Sequence, residues 1–229
     1  MMLDAGAAAA VATSPGGGWL VAAVIWPVVA VLLAIVAGGR HAARIALVSM
    51  PVGLAVAVAI ATHVWPGGEA LVYVVGGWAP PLGIALRADG LSVAMMLTTG
   101  IVITGAGLFA HADFAPQPGA PETRTSLVFW VLLIAVWGAM NLVVMSHDLF
   151  NLYVALELLT FAAVPLVCLD GRAATLAAAL RYLMFALLGS VLYLLGAVLL
   201  YGAYGTLDIT QLATRVQSEP AAWVAAALM

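Results

Sequence analysis

The sequence predicts an all-α integral membrane protein: an antiparallel bundle of six transmembrane helices and a truncated seventh, with a short extracytoplasmic hairpin. Of the 229 residues, 66% are hydrophobic and only 7% are charged, and the mean hydropathy is +1.17. Apolar stretches of about 20 residues, enough to cross ~30 Å of hydrocarbon, recur between polar segments. A soluble domain cannot hide so much apolar surface. Lipid must therefore solvate much of the chain.

The elements follow in order from this pattern. Residues 1–17 are acidic and Gly-rich and lack Arg, which is the wrong start for a cleaved signal peptide, so they predict a flexible N-terminal tail. Residues 18–229 form the predicted transmembrane helical domain. Its apolar stretches place helices at residues 18–38, 45–65, 90–111, 126–146, 149–169 and 176–203.

The connections carry further signals. Residues 66–89 hold two short β-branched runs split by Gly and Pro, which predicts the extracytoplasmic hairpin. Residues 112–125 are a Pro-rich polar loop on the cytoplasmic side, and residues 206–219 suggest a short interfacial helix. The last helix begins near Pro220. Its remaining residues reach only about 13 Å, so the sequence predicts a truncated chain or one that a partner chain continues.

The basic residues predict the orientation. All seven are Arg, and there is no Lys. An excess of basic residues marks cytoplasmic connections, which places the N-terminus outside. The expected location is the cell inner (plasma) membrane. Only Arg87 and Arg215 fall on the opposite side. Those assigned to the cytoplasm are Arg40, Arg44, Arg124, Arg172 and Arg181.

Glu157 is the most informative single residue. It lies about eight residues from the outer end of the fifth predicted helix, or about 12 Å deep. A carboxyl group is expensive there and usually faces a bundle interior or a watery path. Burial favours its neutral form and a nearby cation its ionised form, so it could take up and release a proton. The alternative is a permanently protonated Glu that hydrogen-bonds a neighbouring helix as structural glue.

The stretch HDLFNLYVALELL, residues 147–159, resembles the fifth helix of the antiporter-like proton-channel subunits. These subunits are shared by respiratory complex I, Mrp-type cation/proton antiporters and membrane-bound hydrogenases. Supporting stretches are GGWAPPLGI at 76–84, RADGLS at 87–92, LRY at 180–182 and LYGAYGTLDI at 200–209. Their order and spacing resemble the D-type Mrp subunit and its complex I relatives, from about residue 70 to 215.

The resemblance implies an incomplete N-terminal half of such a subunit. Its function would be proton translocation within a multisubunit cation/proton antiporter or a complex I-like NADH:quinone oxidoreductase, with Glu157 in the proton path. The family pairs this Glu with a Lys on helix 7, and this chain contains no Lys. The implied partners are other membrane subunits and the lipid bilayer, and the transported ions are protons, with Na⁺ as a further candidate. The alternative is a non-conducting structural or assembly subunit, or a truncated fragment.

Three further residues are candidates for the proton path. Arg181, near the start of the sixth predicted helix, either extends its guanidinium to the cytoplasmic interface or acts as a charge that tunes Glu157 or lines the cytoplasmic half-channel. His147 and Asp148 lie at the outer mouth between the fourth and fifth helices. They form either a proton relay, because His titrates near neutrality, or a solvated turn in which Asp148 caps the next helix.

Other chemistry finds little support in the residues. Cys168 is the single cysteine, and no His/Glu pair has the spacing of metal ligands on one helix face, so we predict no metal and no cofactor. A net charge of -3 without a basic run argues against nucleic-acid binding. No nucleophile and base lie at a catalytic spacing, so a catalytic site of its own is not predicted. Membership of a NADH:quinone oxidoreductase-type translocase stays open.

Overall fold

The structure, a computed structural model, describes residues 12–78, 80, 83–113 and 124–229. Most of the predicted tail, most of the Pro-rich loop and three residues of the 76–84 motif (Ala79, Pro81 and Leu82) lie outside the described residues.

The described chain is helical apart from one pair of short strands. Six helices are long and apolar enough to cross a membrane, which confirms the prediction of an all-α, multi-pass membrane protein. The spanning helices are α1 (Gly18–Ala37), α2 (Gly39–Val64), α3 (Gly90–Asp113), α4 (Arg124–Met145), α5 (Leu149–Val167) and α6 (Ala173–Tyr204). They are followed by the short helices α7 (Ile209–Arg215) and α8 (Pro220–Leu228). The strands β1 (Leu71–Val74) and β2 (Ala85–Ala88) pair antiparallel between α2 and α3.

The second helix begins at Gly39 rather than at residue 45 as predicted. Gly38, with φ of 62° and ψ of 174°, makes the whole turn between α1 and α2. The prediction took the charged residues of this segment as a loop. Arg and Ala are good helix formers, however, so the helix continues past the end of the apolar stretch. Arg44 therefore lies within α2.

The packed core belongs to α1, α2, α3 and α4, which contact one another. In the most apolar part of each of these helices 28–44% of the residues are buried, against 11% in α5 and in α6. Glycine lets α2 and α4 approach closely, because a Cβ at Gly53 of α2 would lie 1.7 Å from the ring of Trp137 of α4. The low burial of α5 and α6 leaves their outer faces to lipid or to other chains.

A proline inside α1 is compensated by α4. Pro27 has no N–H, so the carbonyl of Ala23, one turn earlier, loses its usual helical partner. The side-chain amide of Asn141, which is 4% exposed, donates to this oxygen at 3.1 Å. The contact satisfies a backbone group that would otherwise be unpaired in an apolar environment.

The connections at one end of the bundle are joined by backbone pairing. Ser14 N donates to Val72 O of β1 at 2.9 Å, β1 pairs with β2, and Leu86 of β2 bridges to Ser146. A last bridge joins Asp148 to Asp208. We call this set the connection layer; it comprises residues 13–14, 71–74, 85–88, 146–149 and 206–209. It fixes the ends of α1, α3 and α5 relative to α6.

Candidate functional site

Glu157 lies on the third turn of α5, in the seam between α5 and α6. The helix starts at Leu149, so Glu157 lies about 12 Å along it. Its side chain is half-buried, and the Ser190 hydroxyl of α6 donates a hydrogen bond to its Oε1. The carboxyl group therefore faces a neighbouring helix rather than the acyl chains.

Towards the connection layer, two tyrosines close the same seam. Tyr153, one turn before Glu157, stacks on Tyr193, about one turn after Ser190, with ring centroids 6.3 Å apart and planes 15° apart. The Tyr193 hydroxyl donates to the Leu149 carbonyl at 3.2 Å. These two contacts set the register of α6 against α5, and this register places Ser190 beside Glu157.

On the other side of Glu157 the seam widens. A cavity of about 670 Å³ lies between α5 and α6. Its lining is apolar except for the hydroxyls of two threonines and a tyrosine, and the Thr160 hydroxyl is already bonded to the Leu156 carbonyl at 3.0 Å. Along α5, Glu157 thus lies between the tyrosine pair and the cavity, and it is not itself a lining residue of the cavity.

Arg181 does not lie beside Glu157. It is exposed on α6, about nine residues before Ser190, which corresponds to about 13 Å along the helix. Neither an ion pair nor a hydrogen bond of Arg181 is found among the described residues. The structure therefore does not bring Arg181 to Glu157, although the sequence left open a direct effect of one on the other.

Asp148 and His147 lie in the connection layer, and Asp148 is about 13 Å from Glu157 along the axis of α5. Asp148 is the N-cap of α5: its Oδ1 accepts hydrogen bonds from Phe150 N at 2.9 Å and from Asn151 N at 3.0 Å. Such a cap satisfies amide groups that the first helical turn leaves without partners. Asn151 in turn donates to the Ser146 hydroxyl at 3.0 Å.

His147 joins the connection layer to α7. Its Nε2 lies 2.5 Å from the Thr210 hydroxyl oxygen, which also accepts from Arg87 at 3.4 Å. Burial lowers the pKa of His147 from its ordinary value, and the nearby Arg87 lowers it further, while Asp208, Asp89 and Asp148 act in the opposite direction. A neutral imidazole that accepts the Thr210 proton fits these contacts.

Sequence reasoning missed Ser190, Tyr193, Asp208 and Thr210. Ser190 carried a usable signal, because it is the single serine of α6 and a hydroxyl in an apolar helix needs a partner. Asp208 is 2% exposed and caps α7 through Gln211 N at 2.9 Å, which its sequence position alone does not reveal. Within the described parts of the chain, no three His, Cys, Asp or Glu side chains converge as metal ligands.

Comparison with known proteins matches residues 146–229 to the family described as NADH:quinone oxidoreductase/Mrp antiporter, transmembrane. The chain is 33% identical over 141 residues to the D-type subunit of a Na⁺/H⁺ antiporter from Bacillus subtilis (strain 168), a match that covers 62% of this chain and 27% of that protein. The chain therefore spans about a quarter of the length of that relative. The resemblance predicted from the sequence is confirmed.

Solved structures share the fold. A chain of the Mrp complex from Dietzia sp. DQ12-45-1b superimposes with a TM-score of 0.77 at 27% identity, covering 93% of this chain and 39% of that one. A chain of the membrane-bound sulfane sulfur reductase, an archaeal respiratory membrane complex, gives a TM-score of 0.83 at 22% identity, covering 91% and 42%.

Proposed function

We propose that this chain, a homologue of the antiporter-like proton-translocating membrane subunits, contributes part of a proton path in which Glu157 exchanges the proton. The host would be a multisubunit cation/proton antiporter or a complex I-like NADH:quinone oxidoreductase. One observation carries the proposal: the Glu157 carboxyl lies within a spanning helix and is held against Ser190 of the next helix, not turned to lipid.

The chemistry of this position suits proton exchange. An ionised carboxylate in the hydrocarbon region is expensive, and intramembrane ionisable residues therefore usually mark ion pathways. A hydroxyl donor stabilises the ionised form, whereas the apolar surroundings favour the neutral form. A carboxyl group under both influences can change its protonation when a nearby charge appears or leaves.

The other candidate residues take supporting places in the proposal. With the N-terminus extracytoplasmic, the connection layer and its hairpin lie at the outer surface, where His147 and Asp148 form the outer mouth. Arg181 then lies near the cytoplasmic boundary. Its guanidinium reaches the interface, and its effect on Glu157 is long-range at most.

The exposed faces of α5 and α6 support assembly with other membrane subunits. Large apolar side chains such as Phe161 (56% exposed) and Phe185 (76% exposed) cover these faces, and α5 and α6 bury few of their own residues. We propose that the chain resides in the inner (plasma) membrane, multi-pass, within a larger complex. Na⁺ is the further ion that such a complex would exchange, because the relative from Bacillus subtilis belongs to a Na⁺/H⁺ antiporter.

The alternative function is structural. A protonated Glu157 bonded to Ser190 would act as a tie between α5 and α6, and the chain would serve as a non-conducting or assembly subunit. The same contact is compatible with this role, so the two functions must be separated by transport and not by geometry.

The test is Glu157→Gln in the assembled complex, with proton movement measured by a pH-sensitive dye in membrane vesicles. Gln keeps a hydrogen-bonding oxygen for Ser190 but cannot exchange a proton. We expect transport to fall to the level of vesicles without the complex, while the partner subunits still co-purify. The matched control is Glu69→Gln, because Glu69 is exposed between α2 and β1; it should transport normally. Full transport by the Glu157→Gln complex would leave only the structural role.

A further inference from the structure

The seam between α5 and α6 contains a second polar side chain that has no assigned role. Ser190 is half-buried in the middle of α6, among apolar residues. Serine hydroxyls in helices commonly bond to the carbonyl one turn earlier, as the hydroxyls of Thr98 and Thr104 do in α3. Ser190 instead donates across the seam to Glu157.

The register that brings these residues together is fixed independently of them. Tyr193 stacks on Tyr153 and donates to the Leu149 carbonyl, so two contacts hold α6 against the first turns of α5. Ser190 and Tyr193 are about one turn apart on α6, and Glu157 and Tyr153 are about one turn apart on α5. The Ser190–Glu157 contact and the Tyr193–Tyr153 contact therefore lie one helical turn apart along the seam. The position of Ser190 is therefore a consequence of packing and not of the hydrogen bond alone.

The Ser190 hydroxyl is the hydrogen-bond donor to Glu157 among the described residues. Among the described residues, no basic side chain forms an ion pair with Glu157, and the donor it has is Ser190. On the side of the cavity the lining is almost entirely apolar. Without the hydroxyl, the carboxyl would lose the hydrogen bond that ties it to α6.

We propose that Ser190 is the positioning residue of the Glu157 carboxyl: its hydroxyl holds the carboxyl in the α5–α6 seam, in the orientation from which it exchanges its proton. This inference rests on the proposed function. It adds a residue that acts through Glu157 and that does not itself transfer the proton.

The experiment compares Ser190→Ala and Ser190→Thr in the assembled complex. Ala removes the donor and Thr keeps it. We expect transport to fall about tenfold with Ala, the loss appropriate to a hydrogen bond to a charged group, and to return to near the starting rate with Thr. The matched control is Thr98→Val, because the Thr98 hydroxyl bonds to its own helix in α3, away from the α5–α6 seam; it should leave transport unchanged.

Infrared difference spectroscopy gives a readout that a purely structural role would not move. The carbonyl band of the protonated carboxyl, assigned by its loss in Glu157→Gln, should shift to higher wavenumber in Ser190→Ala, since a carbonyl that loses a hydrogen bond absorbs at higher wavenumber. Thr should restore the band. An unchanged band and unchanged transport in Ser190→Ala, with Glu157→Gln inactive, would overturn the role of Ser190 alone. Normal transport by Glu157→Gln would overturn the proposed function, and the inference with it.

Discussion

Asp148 and Asp208 face each other across an antiparallel backbone bridge, and each caps the helix that follows it. Leu149 N donates to Leu207 O and Ile209 N donates to His147 O, both at 3.0 Å. One joint thus fixes where α5 and α7 begin, and it follows the end of α6 at Tyr204 by four residues. Glu157 and Ser190 lie on the helices that this joint connects, so its integrity affects their alignment.

Replacing Asp148 separates its two proposed roles. Asp148→Ala removes the cap and should lower the stability by about 0.5–2 kcal/mol, seen as a lower melting temperature in detergent. Asp148→Asn keeps a capping oxygen and removes the ionisable group. If Asp148 only caps α5, the Asn variant should melt and transport normally. Loss of transport in a stable Asn variant would show that the proton passes through Asp148.

The joint should weaken as the pH falls. The pKa of His147 in the folded protein is lowered by burial, so the unfolded chain binds its proton more readily, and protonation favours unfolding. The contribution of His147 is complete above the unfolded value of about 6.5 and is lost as the pH falls from there towards the folded pKa. Asp208, Asp148, Asp89 and Arg87 are the charged groups that surround it.

The measurement is the melting temperature of the purified protein between about pH 8 and about pH 5, which brackets the ordinary pKa of a histidine. The wild type should lose stability on the acid side of this range, and His147→Gln, which keeps a polar partner for Thr210, should lose less. Equal acid sensitivity of both proteins would assign the effect to another group.

Arg181 should contribute little to stability or transport beyond anchoring α6 at the membrane interface. It is exposed and lies about 13 Å along α6 from Ser190, so Arg181→Ala should change stability by about 0.5 kcal/mol or less and reduce transport far less than Glu157→Gln. Arg181→Lys keeps the charge and should behave as wild type. A loss with Ala as large as that of Glu157→Gln would demonstrate direct coupling between the two residues.

Gly53 should be intolerant of any side chain. A Cβ there would lie 1.7 Å from Trp137 Cη2, deep in the core, so Gly53→Ala should destabilise the protein by about 1–3 kcal/mol through overpacking. Gly105→Ala is the control, because its Cβ would meet nothing within 4 Å, and replacing a helical Gly by Ala gains up to about 1 kcal/mol. The two melting temperatures should therefore move in opposite directions.

The spanning helices were predictable because length and hydropathy alone define them, and Glu157 stood out as a carboxyl within such a stretch. The start of α2 was not predictable, because the charges at Arg40 and Arg44 mark the edge of the apolar stretch and not the edge of the helix. Nor does the sequence indicate which residue of α6 faces Glu157. Helices that are apolar on every side carry no amphipathic pattern to report their rotation.

The long-range pairings of the connection layer, unlike its hairpin, were beyond sequence reasoning for a different reason. These pairings join Ser14 to Val72, Leu86 to Ser146 and Asp148 to Asp208, and they are made mainly by backbone atoms that every residue carries. The side chains of Thr13 and Ser14 add two hydrogen bonds from the backbone of β1. The type of a residue does not indicate which distant backbone segment it will pair with. Only the folded arrangement of the helices brings these distant connections together.

The unequal burial of the helices has a consequence for how the protein is made. The four helices that bury one another precede α5 and α6 in the chain, so they can pack as a unit before the fifth and sixth are inserted. Helix α5 packs along α4, and α6 contacts α5 and α8, but large apolar side chains on their outer faces stay exposed. We therefore expect orphaned copies to be recognised through this pair by membrane quality-control proteases, which would match the abundance of the chain to that of its neighbours.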